Sequence, residues 1–160
     1  MIIRNATIND LSAIAAIEAV CFPAVEAASE MDFKERLQYY ADCFWLLYVN
    51  ENFIGFIDGM RTDDADLSDF MYENASLHKP QGRWQMIFGL NVLPQYRCKG
   101  YAGLLIKHIV AEARKNGCEG VVLTCKERLL HYYEKFGFVN EGVSASVHGN
   151  VVWYQMRLRF

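Results

Sequence analysis

The sequence predicts one mixed α/β domain that spans residues 1–160. Short runs rich in β-branched and aromatic residues alternate with segments whose apolar residues recur at helical spacing. No linker, internal repeat or low-complexity segment divides the chain, and 160 residues suffice for one sizeable core. The expected order of elements is β, α, α, β, β, a partly helical segment, then β, α, β, α, β, β.

The first third of the chain is expected to hold one strand and two helices. The run "IIRNA" indicates a short strand, and Thr7 with Asp10 fits a variant capping box before the first helix. Ser29 can cap the second helix, which "SEMDFKERLQYYAD" would form. The apolar face of the first helix is formed by Leu11, Ile14, Ala15 and Ile17.

A hairpin and a long polar excursion should follow. The runs "FWLLYVN" and "FIGFIDGMR" are expected to pair around the turn "NEN". The next stretch, "TDDADLSDFMYENASLHKPQG", is acidic, polar and long. Long ordered excursions in compact domains are often functional, so we expect this one, partly helical, to lie over or beside a site.

The second half of the chain carries the clearest patterns. The run "WQMIFGLNVL" is apolar on both faces, which is typical of a central strand. "GVVLTC" predicts another buried strand, and "KERLLHYYEKF" a short helix that Gly137 ends. A last hairpin is expected to turn at residues 148–150. Between the two buried strands, a strong amphipathic helix is predicted by Ala102, Leu105, Ile106, Ile109, Val110 and Ala113.

Charge and cysteine content exclude several classes of protein. The net charge of −3 and pI near 5.8 argue against nucleic acid as a partner. The five cysteines are odd in number and form no CxxC pair, so neither a disulfide scaffold nor a structural metal site is expected. No apolar run approaches the length of a membrane helix, and we expect a cytoplasmic protein without membrane contact.

The segment "PQYRCKGYAG" suggests an anion site. It lies between a predicted strand and a predicted helix start, where unpaired N–H groups and the helix dipole favour negative charge. Glycine lets the backbone approach a phosphate closely, and arginine matches its geometry. The spacing fits neither GxxxxGK[ST] nor GxGxxG, so a P-loop and a dinucleotide fold are both disfavoured.

Two motifs resemble the GNAT acyltransferase superfamily. Arg97, Gly100 and Ala102 follow the pattern R-x-x-G-x-A of its pyrophosphate loop, and "HYYEKFGF" resembles its Y-E-K-x-G-F signature one strand and one helix later. The resemblance covers nearly the whole chain. It implies a mostly antiparallel, twisted central sheet of about seven strands, with a parallel splayed pair and about four flanking helices.

The resemblance also implies a site for acetyl-CoA. The strand before the loop would bind the pantetheine arm through its backbone, and the loop amides would bind the pyrophosphate. We expect the paired strands to diverge beyond Val92 and Leu123. The implied cofactor-binding residues are Leu90, Asn91, Val92, Arg97, Cys98, Lys99, Gly100, Tyr101, Ala102 and Gly103.

Tyr133 matches the family tyrosine that lies near the CoA sulfur and protonates the leaving thiolate. A phenol suits this role because its pKa near 10 keeps it protonated at neutral pH. Tyr132 is expected to pack the short helix on the sheet, since adjacent helical residues face different ways.

A closer similarity, to the arylalkylamine N-acetyltransferase branch, leaves the base undefined. Segments such as "SLHKPQG" and "LTCKERLLHYYEKFGF" carry it, but Met86 and Phe88 occupy the strand positions of that branch's two histidines. Neither side chain can accept a proton, so the candidates for the base are Glu26 and His148, with a water chain to solvent as the alternative. Glu26, Phe88 and His148 are expected to border the acceptor pocket. His131 is a further possibility beside the site.

The expected function is direct transfer of an acetyl group from acetyl-CoA to the primary amine of a small molecule, by a monomer or homodimer without a metal. The aromatic residues near the expected pocket favour a small amine. Two alternatives stay open: a protein or peptide acceptor, and an acyl-CoA-binding module without activity. The aromatic residues concerned are Phe22, Phe44, Phe88, Trp84, Trp153 and Tyr154.

Overall fold

Strands and helices alternate along the chain in the order that the sequence predicts. The computed structural model describes residues 1–160. The helices are α1 (Leu11–Cys21), α2 (Glu30–Tyr40), α3 (Asp69–Glu73), α4 (Tyr101–Lys115) and α5 (Leu130–Glu134). The strands are β1 (Ile2–Asn5), β2 (Phe44–Val49), β3 (Asn52–Asp58), β4 (Arg61–Thr62), β5 (Trp84–Ile87), β6 (Gly89–Val92), β7 (Gly120–Cys125), β8 (Val139–Val143) and β9 (Tyr154–Arg159).

The strands form two sheets, whereas one continuous sheet was expected. One sheet has the order β1-β2-β3-β6 and the other β4-β5-β7-β9-β8. Two predicted strands are interrupted: Gly59 and Met60 separate β3 from β4, and Phe88 separates β5 from β6. Counted without these interruptions there are seven strands, so the mixed α/β class and the strand number are confirmed.

The parallel pair diverges earlier than the sequence suggested. β5 pairs with β7 in parallel until Ile87 opposes Leu123, and all other strand pairs are antiparallel. Beyond that point β6 pairs only with β3. The N–H of Phe88 donates to the carbonyl of Asp58 at 2.7 Å, which directs the chain toward β3 and away from β7. The limit at Leu123 is therefore right, but the strand departs after Ile87 and not after Val92.

The long helices bury the faces that their apolar spacing defines. Ile14 and Ile17 of α1 are buried, and α4 buries Leu105, Ile106 and Ile109 against both sheets. Ser29 caps α2: its Oγ accepts from the N–H of Asp32 at 3.1 Å, and its own N–H donates to that carboxylate at 2.9 Å. About four helices were expected. The fifth, α3, is a five-residue helix in the long polar excursion.

The closing hairpin has a longer connection than expected. β8 and β9 pair, but their last partners are Val143 and Tyr154. Residues 144–153 form a loop that contains a single 3₁₀ turn, His148–Asn150. The turn predicted at these three residues is therefore part of a ten-residue loop, which has its own place beside the candidate site.

None of the five helices combines the length and apolar character that crossing a bilayer requires. All five cysteines are free thiols, as their number and spacing suggested.

Candidate functional site

A cavity of about 430 Å³ opens where β6 and β7 diverge. Ile87, Phe88 and Leu90 line one side and Leu123, Thr124 and Cys125 the other. The interruption at Phe88 therefore creates the cavity, because continued pairing between the two strands would close it. The remaining walls come from α1, α2, α3, α5 and two loops.

The glycine turn presents a row of free backbone donors. Gly100 is the N-cap of α4 with a left-handed φ of 86°, and Cys98 also has a positive φ of 60°. The N–H groups of residues 98–103 donate no hydrogen bond within the chain. A Cβ at Gly100 would meet no atom within 4 Å, so the space above the turn is open. Such a helix N-terminus suits a phosphate.

The side chains of the turn hold it in place. The Nε–H of Arg97 donates to the carbonyl of Val92 at 2.9 Å, while most of the side chain is exposed. Lys99 lies over the ring of Tyr96 at 5.8 Å, and a Cβ on Gly103 would come within 3.2 Å of the Phe136 ring. Tyr101 and Ala102, in the first turn of α4, are half-buried against the core.

The three predicted pantetheine residues all lie in β6, and only one of them lines the cavity. That residue is Leu90. The side chain of Asn91 is fully buried, and the carbonyl of Val92 accepts from Arg97 and from the thiol of Cys21. Because β6 pairs with β3 alone, its other edge is unpaired along the cavity.

Tyr133 lies on α5 and lines the cavity beside Cys125. The residue is 7% exposed, and its hydroxyl makes no hydrogen bond within the chain. Burial raises the pKa of Tyr133 above its usual value, so the phenol keeps its proton. Tyr132 instead packs edge-on against Phe136 with ring centroids 5.4 Å apart, and it lies outside the cavity lining, as expected.

The two strand positions without histidine differ in their surroundings. Met86 is fully buried in the core, whereas Phe88 lines the cavity. The ring centroid of Phe88 lies 4.9 Å from that of Tyr72 of α3 and 5.3 Å from the guanidinium carbon of Arg36. The hydroxyl of Tyr72 lies 3.4 Å from that of Thr124 on β7. The long polar excursion therefore packs beside the cavity, as its length predicted.

Glu26 and His148 meet across the cavity. The Nε2 of His148 lies 2.8 Å from the carbonyl oxygen of Glu26, which identifies this nitrogen as the donor. The carboxylate of Glu26 forms an ion pair of 2.8 Å with Lys126. The loop of His148 is held further by Asp69, whose carboxylate accepts from the hydroxyl of Ser146 at 2.6 Å. Glu26 is thus a buried, paired residue and not an exposed loop charge.

The cavity also borders buried charges that sequence reasoning missed. Glu18 of α1 and Arg36 of α2 line it, and Arg36 pairs with Asp58 of β3 at 3.4 Å. All three residues are at most 6% exposed. Each interrupts an apolar helical or strand pattern: Glu18 follows Ile14 by four residues, and Arg36 lies between Phe33 and Tyr40 on one face. A charge at a core position of the pattern was the available signal.

Burial raises the pKa of both carboxyl groups. The pKa of Asp58 rises to about 7, because burial and the nearby Glu18 outweigh the opposing charge of Arg36. Burial also raises the pKa of Glu18, against the N–H of Ala28 and the charge of Arg36. Perturbed carboxyl groups beside a cavity are typical of functional sites.

Only some of the other aromatic and histidine candidates lie at the cavity. Phe22, Phe88 and Trp153 line the cavity, whereas Phe44 and Trp84 are buried in the core and Tyr154 lies outside the lining. His131 is not beside the cavity: its side chain is 96% exposed and pairs with Glu134.

One cluster of potential metal ligands lies away from the cavity. Asp42, Cys43 and His78 bring their ligand atoms within 4.8 Å of one another. The guanidinium of Arg61 donates to the carboxylate of Asp42 at 2.9 Å, and the backbone N–H of Arg61 donates to the Nδ1 of His78 at 3.0 Å. A guanidinium beside these atoms opposes a cation, and the hydrogen bonds account for the cluster.

Comparison with known proteins gives a consistent result. The model of the "Acetyltransferase (GNAT) family" matches residues 11–138. Serotonin N-acetyltransferase of Mesocricetus auratus is 25% identical in an alignment of 158 positions that covers 96% of this chain and 75% of that protein.

Solved structures of the same fold cover almost the whole chain. The GphF GNAT-like decarboxylase in complex with isobutyryl-CoA superposes with a TM-score of 0.85 at 24% identity, covering 99% of both chains. A chain of the NatC complex bound to Gag peptide and CoA gives 0.78 at 15% identity, covering 99% of this chain and 98% of that one. These likenesses confirm the fold.

Proposed function

This chain belongs to the acetyltransferase (GNAT) family, and on that premise we propose that it moves an acetyl group from acetyl-CoA directly to the primary amine of a small molecule. The observation that carries the proposal is the cavity at the strand divergence. The unpaired edge of β6, Tyr133 and several acidic side chains all border this cavity. The free amides of residues 98–103 follow directly along the chain.

Acetyl-CoA, the acetyl donor, would bind mainly through backbone groups of the chain. The unpaired edge of β6 offers N–H and C=O groups to the amides of the pantetheine arm, and the open turn at Gly100 receives the pyrophosphate. The thioester then lies at the strand divergence. A backbone N–H there would stabilise the oxyanion that forms during acyl transfer.

The reaction itself needs one acid and one base. The amine nitrogen attacks the thioester carbon, the C–N bond forms and the C–S bond breaks. Tyr133 would give its proton to the departing thiolate, because its residue lines the cavity, its hydroxyl has no hydrogen-bond partner in the chain, and its raised pKa keeps the phenol protonated. The attacking nitrogen must first lose a proton, because an ammonium has a pKa of roughly 10 if lysine is the guide.

The walls of the cavity favour a cationic acceptor. Five carboxyl groups line it, of which Glu26 is paired with Lys126, against the single guanidinium of Arg36. Aromatic rings of Phe22, Phe88 and Trp153 supply apolar surface for the rest of the molecule. The loop of residues 144–153 bonds to the carbonyl of Glu26 and so covers this end, which favours a small amine over an extended chain. The five carboxyl groups are those of Glu18, Glu26, Asp32, Asp69 and Glu73.

A screen of acetyl-CoA with amines tests the proposal. The release of CoA thiol is followed with arylalkylamines, polyamines, amino acids and short peptides, and the acetylated product is identified by mass spectrometry. We expect turnover with arylalkylamines or other small amines and little with peptides. Tyr133→Phe is the matched variant, since it removes the proposed acid and keeps the ring.

The same screen separates the alternatives. Turnover with peptides alone would favour a peptide acceptor, as for the NatC complex that was solved with Gag peptide. Release of CO₂ from a malonyl-type CoA would favour decarboxylation, the activity for which the GNAT-like decarboxylase GphF is named. Acetyl-CoA binding without turnover on any acceptor would indicate a silent binding module.

A further inference from the structure

The covering loop, residues 144–153, is attached to two separate parts of the cavity wall. The carboxylate of Asp69, at the start of α3, accepts from the hydroxyl of Ser146 at 2.6 Å. The Nε2 of His148 donates to the carbonyl of Glu26, between α1 and α2, at 2.8 Å. Asp69 and Glu26 both line the cavity. The loop therefore joins two walls of the cavity and covers the end that they share.

Gly149 is the position where the covering loop lies directly against Glu26. It has a left-handed φ of 64°, and a Cβ built on it would lie 2.8 Å from the Cγ of Glu26 and 3.5 Å from the carbonyl oxygen of Val25. Two non-bonded carbon atoms attract best at about 3.5–4.0 Å, so a side chain at position 149 would force the loop or Glu26 to move. The close contact between them depends on the missing side chain.

Glu26 has little freedom to make room. Its side chain is 4% exposed, and its carboxylate is paired with Lys126 at 2.8 Å. The Nζ of Lys126 lies 5.8 Å from the ring centroid of Trp153, whose Nε1–H donates to the carbonyl of His148 at 2.7 Å. A shift of the Glu26 side chain would break the ion pair, and a shift of the loop would break the bond between His148 and Glu26. Either shift loosens the cover.

The covering loop contributes three residues to the cavity lining, Val147, His148 and Trp153. The ring centroid of His148 lies 5.2 Å from that of Tyr72, which lies 4.9 Å from that of Phe88 at the strand divergence. A row of rings therefore leads from the strand divergence to the covering loop. An acceptor whose nitrogen lies at the divergence would extend along this row, and the loop would limit its length.

We propose that Gly149 is a specificity-determining residue, because it lets the covering loop close on Glu26 and so limits the length of the acceptor. The inference rests on the proposed amine acetylation and adds the position that sets the size of the amine. A side chain at position 149 would lift the loop, and the covered end would become an opening for longer acceptors. Acetyl transfer itself, at the strand divergence, would be kept.

The same hairpin offers a matched control in Gly142. This glycine also has a left-handed φ, 93° against 64°, but a Cβ there would meet no atom within 4 Å. Gly149→Ala and Gly142→Ala both place a side chain in the left-handed conformation, which is unfavourable for it. Only Gly149→Ala brings a methyl group against Glu26. A difference between the two variants therefore reports this contact and not backbone strain.

Tryptophan fluorescence measures whether the loop has left Glu26. Trp45 and Trp84 are only 4% and 3% exposed, whereas Trp153, the third tryptophan of the chain, is half-buried in the loop. Quenching by acrylamide therefore follows mainly Trp153. We expect stronger quenching in Gly149→Ala than in the wild type, and wild-type quenching in Gly142→Ala. Unchanged quenching in Gly149→Ala, shown to be folded by circular dichroism, overturns the inference.

The acceptor range is the second readout. kcat/KM is measured for a small amine found in the screen and for a homologue that is extended at the end remote from the nitrogen. In Gly149→Ala the preference for the small amine should fall roughly tenfold or more, since a single methylene in a pocket changes discrimination by about 10–200-fold. Gly142→Ala should keep the wild-type preference. A merely structural role for Gly149 would lower kcat/KM equally for both amines, and that result overturns the inference.

A second variant and the wild type complete the test. If Gly149→Ala does not fold, Gly149→Asn decides in its place, because asparagine adopts a left-handed φ more readily, as Asn150 does with a φ of 56°. Unchanged quenching or an unchanged preference in Gly149→Asn overturns the inference and leaves amine acetylation intact. If the wild type acetylates no small amine, the proposed function fails and the inference fails with it.

Discussion

Arg97 donates its Nε–H to the carbonyl of Val92 across 2.9 Å, so the basic residue of the turn is anchored on the end of β6. One guanidinium can serve both the strand and a phosphate, because its N–H groups point in several fixed directions. An ammonium group lacks this geometry. We therefore expect the proposed donor site to depend on which cationic side chain stands at this position as well as on its charge.

Arg97→Lys should weaken CoA binding although it keeps the charge. Loss of a hydrogen bond to a charged group costs about 1.5–3 kcal/mol, which corresponds to roughly a tenfold to hundredfold rise in Kd. Isothermal calorimetry with CoA measures this. Arg114→Lys, in the last turn of α4 and at the end of that helix away from Arg97, is the control and should leave the Kd unchanged. Equal affinity of wild type and Arg97→Lys would contradict the proposed contact.

Gly100→Asp should abolish most CoA affinity, because it places a carboxylate where the phosphates must approach. The chain offers a matched control in Gly117, which follows the other end of α4. It also has a left-handed φ, 78° against 86°, and a Cβ there would likewise meet nothing within 4 Å. A non-glycine residue in this conformation costs about 1–2 kcal/mol, so both variants should lose similar stability.

Calorimetry and thermal denaturation separate these two effects. Only Gly100→Asp should lose CoA binding, and Gly100→Ala should lie between it and the wild type. If Gly117→Asp loses CoA affinity to the same extent, backbone strain and not the phosphate site explains the result.

Tyr133→Phe should lower kcat by roughly 100-fold, the lower end of the range for general acids. The low end is expected because a thiolate, whose parent thiol has a pKa near 8.5 by analogy with cysteine, is already a fair leaving group. The hydroxyl makes no hydrogen bond in the chain, so Tm and acetyl-CoA affinity should change little. Tyr132→Phe is the control and should keep the wild-type kcat, since its ring packs on Phe136. Undiminished turnover in Tyr133→Phe would mean that the proton comes from another group.

Arg36→Met should destabilise the fold by about 3–5 kcal/mol at pH 8, because it leaves Asp58 buried without a counter-charge. The loss should be smaller at pH 5. Asp58, with a pKa of about 7, is protonated there even in the wild type and needs no partner. Urea denaturation at the two pH values measures both effects, and Arg36→Met with Asp58→Asn should recover part of the loss at pH 8.

Asp58 also gives the wild type a defined pH dependence of stability. Its folded pKa of about 7 exceeds the ordinary value of 3.8, so the folded state binds more protons than the unfolded state between these limits. The free energy of unfolding should therefore fall as the pH rises from about 4 to about 7. In Asp58→Asn this part of the slope should disappear, and an unchanged slope would contradict the assignment.

Most of the fold could be predicted because its signals are local. The helical spacing of Ile106 and Ile109 predicted α4, and the apolar run "GVVLTC" predicted β7. The interruption at Phe88 could not be predicted in the same way. "WQMIFGLNVL" is apolar on both sides of this residue, and the break depends on its hydrogen bond to Asp58, 30 positions earlier in the chain.

The residues of the candidate site differ in the same way, because only some of them have a local sequence signal. The donor residues around Gly100 could be proposed because a turn before a helix has a sequence pattern, and Tyr133 because it lies in a motif. Glu18 and Asp58 have no such pattern. They come together only when α1 packs on the sheet, so the nearest sequence signal is that each occupies a position where an apolar residue is expected.

The covering of the acceptor end consists of side chains and carbonyls from segments around Glu26, Asp69 and His148, which lie far apart in the chain. The proposed donor end, by contrast, is one continuous stretch of backbone from Leu90 to Gly103. Substitutions accumulate readily in the first kind of surface, whereas backbone donors are indifferent to most side chains that carry them. During evolution the acceptor specificity of such a protein can therefore change through substitutions in three segments far apart in the chain, while binding of the acetyl donor is kept with selection on only a few positions.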